Sequence, residues 1–87
     1  MPKEHDYLFL MALGAKLAER REELGRSQAD IAQYALITPQ QLSKYEKGLS
    51  DPSLSTLLRI CAALKLNCSN LLVQITIQSG DFNGPLT

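Results

Sequence analysis

Four side chains near the middle of the sequence carry groups suited to reading a nucleic acid: Gln40, Ser43, Lys44 and Lys47. Spacings of three, one and three put them on one stripe of a helix, and no acid falls in that stripe. An amide can pair bidentately with adenine, and a lysine ammonium donates to guanine acceptors or to phosphate oxygens. Any exposed helix face is polar, so the stripe takes its meaning from its setting. Thr38 and Pro39 start this helix, Gly48 ends it, and Leu42 and Tyr45 turn the other way.

Little else in the chain could carry chemistry. His5 is the single histidine and lies near the terminus, and neither a G-x-S-x-G turn nor a phosphate loop occurs. Cys61 and Cys68 lack C-x-x-C spacing and a neighbouring histidine, which fits reduced, partly buried thiols of a cytosolic protein. No catalytic residue, cofactor or metal site is expected, and the chain is not read as an enzyme. At 87 residues it is one domain with one modest core. Nine basic residues balance nine acidic ones, so net charge gives no hint of a polyanion partner, although a local patch matters more than the total. The apolar run Leu8-Phe9-Leu10-Met11-Ala12-Leu13 follows Glu4 and Asp6 rather than a basic segment, and it is too short to span a bilayer. A soluble, cytoplasmic protein with no membrane partner is expected.

The elements that must hold the stripe follow from caps and periodicity. A long first helix runs from about Asp6, as N-cap, to residue 24, with Gly25 as its stop. Its apolar stripe is Leu10, Leu13, Leu17 and Leu24, and Arg21 fills the gap on that face. Ser27 caps a second helix from Gln28 to about Tyr34, with Asp30 completing a capping box and Ile31, Ala32 and Ala35 inward. A brief turn at Leu36-Ile37 leads to the third helix. Asp51-Pro52-Ser53 makes a turn and a cap for a fourth helix, about 54–64, burying Leu54, Leu57, Leu58, Cys61 and Leu64. Asn67 caps a fifth helix holding Leu71 and Leu72. Residues 73–78 alternate apolar and polar and are rich in β-branched side chains, a strand signature. The alternative is that the fifth helix continues to about Ile75. The fold class is all-α: five helices, the first the longest, with a short C-terminal β-strand.

The string Ser27-Gln28-Ala29-Asp30-Ile31-Ala32, then Ile37-Thr38-Pro39-Gln40-Gln41-Leu42-Ser43-Lys44-Tyr45-Glu46-Lys47-Gly48, then Asp51-Pro52-Ser53 and Leu57, resembles the phage-repressor-like (Cro/repressor, xenobiotic-response-element) helix-turn-helix family. The resemblance spans about residues 13–72. It implies a sequence-specific regulator of transcription that binds double-stranded DNA through the major groove, as a dimeric repressor or autoregulator on a palindromic operator. Residue by residue, it puts Gln28 on a phosphate, places Pro39, Gln40, Ser43 and Lys44 in the major groove, and sets Thr38, Gln41 and Lys47 beside the backbone. It also pairs Arg21 with Glu46, which makes sense of two charges turned toward the core. The alternatives are a protein-interaction module of the same fold without DNA binding, and an antitoxin whose partner is a cognate toxin protein.

The chain departs from the family where Leu36 and Lys65 replace common glycines. If they keep a left-handed backbone, each costs about 1–2 kcal/mol. Residues 1–78 are read as the DNA-binding domain, with its core at 13–72 and a dimerisation tail at 73–78, and residues 79–87 as a flexible tail. The lone strand would pair across a dimer axis, or with Leu71, Leu72 and Phe9 form an apolar interface.

Overall fold

Four side-chain caps set the helix starts. Ser27 accepts from the Asp30 N–H at 3.1 Å, Thr38 from Gln41 at 3.0 Å, Ser53 from Thr56 at 3.2 Å and Asn67 from Asn70 at 3.1 Å. Each satisfies a backbone donor that the first turn leaves without an intrahelical partner. The computed structural model describes residues 4–78, which form α1 (Glu4–Glu23), α2 (Gln28–Ala35), α3 (Pro39–Glu46), α4 (Leu54–Ala63) and α5 (Cys68–Gln78). Thr38 and Gln41 form a reciprocal capping box, as do Ser27 and Asp30. The helix α1 begins two residues before Asp6, which therefore lies inside its first turn rather than capping it.

The core is one cluster. Leu13 and Leu17 of α1, Ile31, Ala32 and Ala35 of α2, Leu42 of α3, Leu57, Ile60 and Cys61 of α4, and Leu71 and Ile75 of α5 all contribute, with Leu64 just past α4. α4 packs on α2, while α1 packs on both α3 and α5. Among the described residues no single helix is long and apolar enough to cross a membrane.

Two expectations fail here. The alternating stretch at 73–78 is not a strand: α5 runs through Gln78. Leu71 and Ile75 lie four apart on one helical face and are both buried, and a helix pairs its backbone groups internally. A lone strand could not have done so, and that outweighs the β-branched composition. The inner arc of α4 is also rotated from the expected one. Leu54 and Leu58 are 67% and 50% exposed, whereas Ile60 is fully buried and Thr56 nearly so. Thr56 is drawn inward by polar partners, accepting from Ser53 Oγ at 2.9 Å and from Arg59 at 3.3 Å. Residues 79–87, expected to be a flexible tail, lie outside the described residues.

Helix ends are closed by long side chains as well as by turns. The Arg59 Nε–H donates to the Ala35 carbonyl at 2.8 Å, and the Arg20 Nε–H to the Leu64 carbonyl at 3.0 Å, so two arginines tie the C-terminal ends of α2 and α4 to other helices. Leu36 (φ 62°) and Lys65 (φ 55°) keep the left-handed conformation that glycine adopts without penalty. Their replacement by glycine relieves about 1–2 kcal/mol of strain per site and returns part of it as unfolded-state entropy. Leu36→Gly and Lys65→Gly are each expected to stabilise by about 0.5–1 kcal/mol, a rise of several degrees in Tm for a domain of this size. Thermal melts of the single and double variants check this; a lower Tm would show that Leu36 and Lys65 stabilise the turns in some other way.

Candidate nucleic-acid interface

The face of α3 is set by what is held behind it. Leu42 is fully buried and Tyr45 packs half-buried against the core. Glu46 turns inward as well, where Arg21 grips it at both carboxylate oxygens, Nε to Oε2 at 2.7 Å and Nη2 to Oε1 at 3.1 Å. The two side chains are only 14% and 7% exposed. The third guanidinium nitrogen, Nη1, donates to the Arg26 carbonyl at 2.9 Å, and Gln28 Nε2 donates to Glu46 Oε1 at 2.9 Å. Among the described residues no buried side-chain nitrogen or oxygen is left without a partner. The hydrogen bond to Glu46 is the main reason that the Arg21 guanidinium is pushed above its ordinary pKa, with burial opposing it. One network thus joins α1, the start of α2 and the end of α3.

With Glu46 turned inward, the outward face of α3 carries no acid. Gln40, Lys44 and Lys47 are exposed, and Ser43 is half-buried beside them. Pro39 opens the helix, exposed and without an N–H to offer. Thr38 and Gln41 are exposed and already engaged in the capping box, where Gln41 Oε1 accepts from the Thr38 N–H at 2.9 Å. That bond uses acceptor oxygens, so the Thr38 hydroxyl hydrogen and the Gln41 amide hydrogens remain available as donors. Gln28 stands at the first position of α2 with one amide hydrogen on Glu46 and a second in reserve. All eight sequence-derived contact residues therefore lie on α3, on its caps or at the adjacent start of α2.

A contact that residue types alone did not signal fixes how α3 lies on α1. Gly14, in the middle of α1, meets the backbone of the last turn of α3. A Cβ added there would sit 2.7 Å from the Glu46 carbonyl carbon and closer still to the Tyr45 and Glu46 oxygens. The only hint in the sequence was a glycine inside an otherwise strong helix, which costs about 1 kcal/mol relative to alanine and so needs a packing reason. Gly48 has a similar role one turn on: it is left-handed (φ 73°), and its missing side chain would lie 2.9 Å from the Met11 backbone.

Two short helices joined by a tight turn, the second presenting an acid-free polar face and braced by three further helices, define a helix-turn-helix DNA-binding domain. A helix-turn-helix family model matches residues 17–70, and the chain belongs to that Cro/C1-type family of DNA-binding transcription regulators. The structure is similar to a crystal structure of the clp gene regulator ClgR from Corynebacterium glutamicum, with a TM-score of 0.76 and 26% identity over 83% of this chain and 77% of that one. A second structure of ClgR gives 0.73 and 28% over 78% and 87%. The restriction-modification controller protein C.AhdI from Aeromonas hydrophila gives 0.68 and 27% over 71% and 94%. None of the curated protein sequences matches the chain significantly.

Proposed function

We propose that the chain is a cytoplasmic, dimeric repressor or autoregulator that reads a palindromic operator through the major groove with α3. The observation that carries this reading is the burial of Glu46 against Arg21, which leaves the outward face of α3 with two lysines, an amide and a hydroxyl and no opposing charge. In it Pro39, Gln40, Ser43 and Lys44 face base edges, with Gln40 and Lys44 one turn apart on the same side. Thr38, Gln41 and Lys47 face the backbone, where the donors left over from capping meet phosphate oxygens. Gln28 bridges Glu46 to a phosphate with its second amide hydrogen, so the residue that positions α3 also anchors the start of α2.

A second copy completes the reading, because one α3 covers a single half-site and two related by a two-fold axis read half-sites about one helical turn apart. Within the proposed dimerisation tail, Ile75 is fully buried in the core while Val73 and Gln74 are exposed, so Val73 is the apolar side chain described there that can meet a partner copy. Selection of bound sites from random DNA is the direct test, with a two-fold symmetric consensus expected.

Gln40→Ala is expected to relax preference at one base position in each half-site, costing about 1–3 kcal/mol on the preferred sequence and little on random DNA. Lys47→Ala is expected to weaken binding to all sequences alike and to lower the salt slope by about one unit. Titrations on operator and random DNA across a salt series separate the two; equal losses on both sequences for both variants would mean that another face is inserted. The formal net charge of zero favours the alternative of a protein-interaction module of the same fold without DNA binding. That reading holds if neither substitution changes DNA binding.

A further inference from the structure

The first turns of α1 leave apolar side chains in water. Tyr7, Leu8 and Met11 are exposed there, and Leu49, just past α3, is 65% exposed. These turns precede the residues that the family model matches, and the DNA-binding reading gives them no role. Between them and the loop that follows α3 lies a groove of about 370 Å³. Tyr7, Phe9 and Leu10 line one wall, and the chain from Gly48 to Asp51 lines the other.

The two walls are held at a fixed separation. Gly48 lies so close to α1 that an added Cβ would be 2.9 Å from backbone atoms of Met11. The Leu49 N–H donates to the Lys44 carbonyl at 2.9 Å, which ties the loop to α3, and the Ser53 cap on the Thr56 N–H at 3.2 Å fixes its far end. Asp51 lies between these anchors. The groove is therefore formed before any ligand arrives, and its size suits a small molecule.

Charge selects the ligand. Among the described residues that line the groove Asp51 is the single charged one, and its carboxylate has no ion pair or hydrogen bond. Two other grooves carry both signs: Arg26 and Lys65 with Asp30 in one, and Lys16 and Arg20 already paired with Glu19 and Glu23 in the other. Here an unpaired carboxylate stands with two aromatic rings, whose electron-rich faces attract cations, and Leu10 and Leu49 add apolar surface. We propose that this groove binds a small amphipathic organic cation, an ammonium group on an aromatic or branched apolar body. Its charge lies at Asp51 and its body against Tyr7, Phe9 and Leu49. An anion would meet Asp51 as a like charge, and an inorganic cation would gain nothing from the apolar wall.

The test contains no DNA, so its outcome is independent of the DNA-binding reading. Benzyltrimethylammonium is titrated into the isotope-labelled full-length chain while the backbone amide signals are followed by NMR. Saturable shifts are expected at Tyr7, Leu10 and Gly48 to Asp51. Tetramethylammonium supplies the charge alone, benzyl alcohol the apolar body alone and phenylacetate the opposite charge; each should bind at least about fivefold more weakly. Asp51→Asn and Tyr7→Ala should each raise Kd by about fivefold or more, whereas Tyr7→Phe, which keeps the ring, should change it little. Tyr7 and Asp51 are both exposed, so these substitutions leave the core intact. No saturable shift, shifts confined to other residues, equal binding of phenylacetate, or an Asp51→Asn variant that binds as tightly as the parent would each overturn the assignment. So would shifts of the same signals with protein concentration alone, which would make a second copy the occupant.

Discussion

Replacing Glu46 with alanine is expected to destabilise the domain by about 3–5 kcal/mol, because it leaves the Arg21 guanidinium largely buried with only the Arg26 carbonyl as a partner. Gln28 loses its acceptor in the same step. Small domains have about 5–15 kcal/mol in total, so Tm should fall by more than about 10 °C. A shift of a degree or two would mean that the pair is solvated and interchangeable with any surface pair. The double variant Arg21→Met with Glu46→Leu separates the cost of a stranded charge from the value of the pair. Replacing both members of a buried pair with apolar side chains of similar volume is near neutral or stabilising, so this variant should regain most of the loss.

The Arg21 pKa lies above its ordinary value, chiefly through the hydrogen bond to Glu46. The stability linked to a raised base is present below the unfolded pKa and lost only as pH rises through the folded one. The contribution of Arg21 is therefore constant across neutral pH. Gln28 and α3 should feel the loss of Glu46 beyond stability. At a temperature where the variant is still folded, its DNA affinity should fall more than a purely thermodynamic loss of folded chain explains.

Gly14→Ala is the second large effect, and here the usual rule of helix stabilisation reverses. In an open helix the change gains about 0.8–1 kcal/mol. In α1 the new methyl group meets backbone atoms of Tyr45 and Glu46, which cannot swing aside as a flexible side chain would. The helices must separate, and we expect a net loss of about 3 kcal/mol, at the upper end of overpacking costs. The shift falls on the last turn of α3, next to Lys44 and Lys47, so operator binding should weaken even where the fold survives. Chemical denaturation and DNA titration read the two effects separately. A variant as stable as the parent would show that α1 and α3 do not touch at this point.

Much of this architecture is legible in the order of residue types because helix ends obey local rules. Ser27, Thr38, Ser53 and Asn67 cap because their side-chain oxygens reach an N–H three residues on, whatever the rest of the chain does. Leu10, Leu13 and Leu17 are buried, as their spacing requires, and Arg21 on the same stripe called for a partner. The polar face of α3 is likewise a matter of spacing, since one helical turn puts Gln40 and Lys44 together.

What the sequence left open is decided by contacts between segments distant in the chain. Residues 73–78 satisfy a strand pattern and a helix pattern, and packing decides between them: Leu71 and Ile75 bury together only on a helix. The inner arc of α4 is set where α4 packs on α2, which buries Ile60 and leaves Leu54 and Leu58 outside, a choice that hydrophobicity cannot reveal. Gly14 looks like a weak point in α1 until α3 is laid across it. Glu46 and Arg21 read as two misplaced charges until 25 positions of chain fold back to put them 2.7 Å apart. The sequence by itself determined where α2 to α5 begin and which groups face outward on α3, because both are set within one or two turns. Only the tertiary structure decided how α3 is held, because that depends on a carboxylate of α3 meeting a guanidinium and a missing side chain of α1.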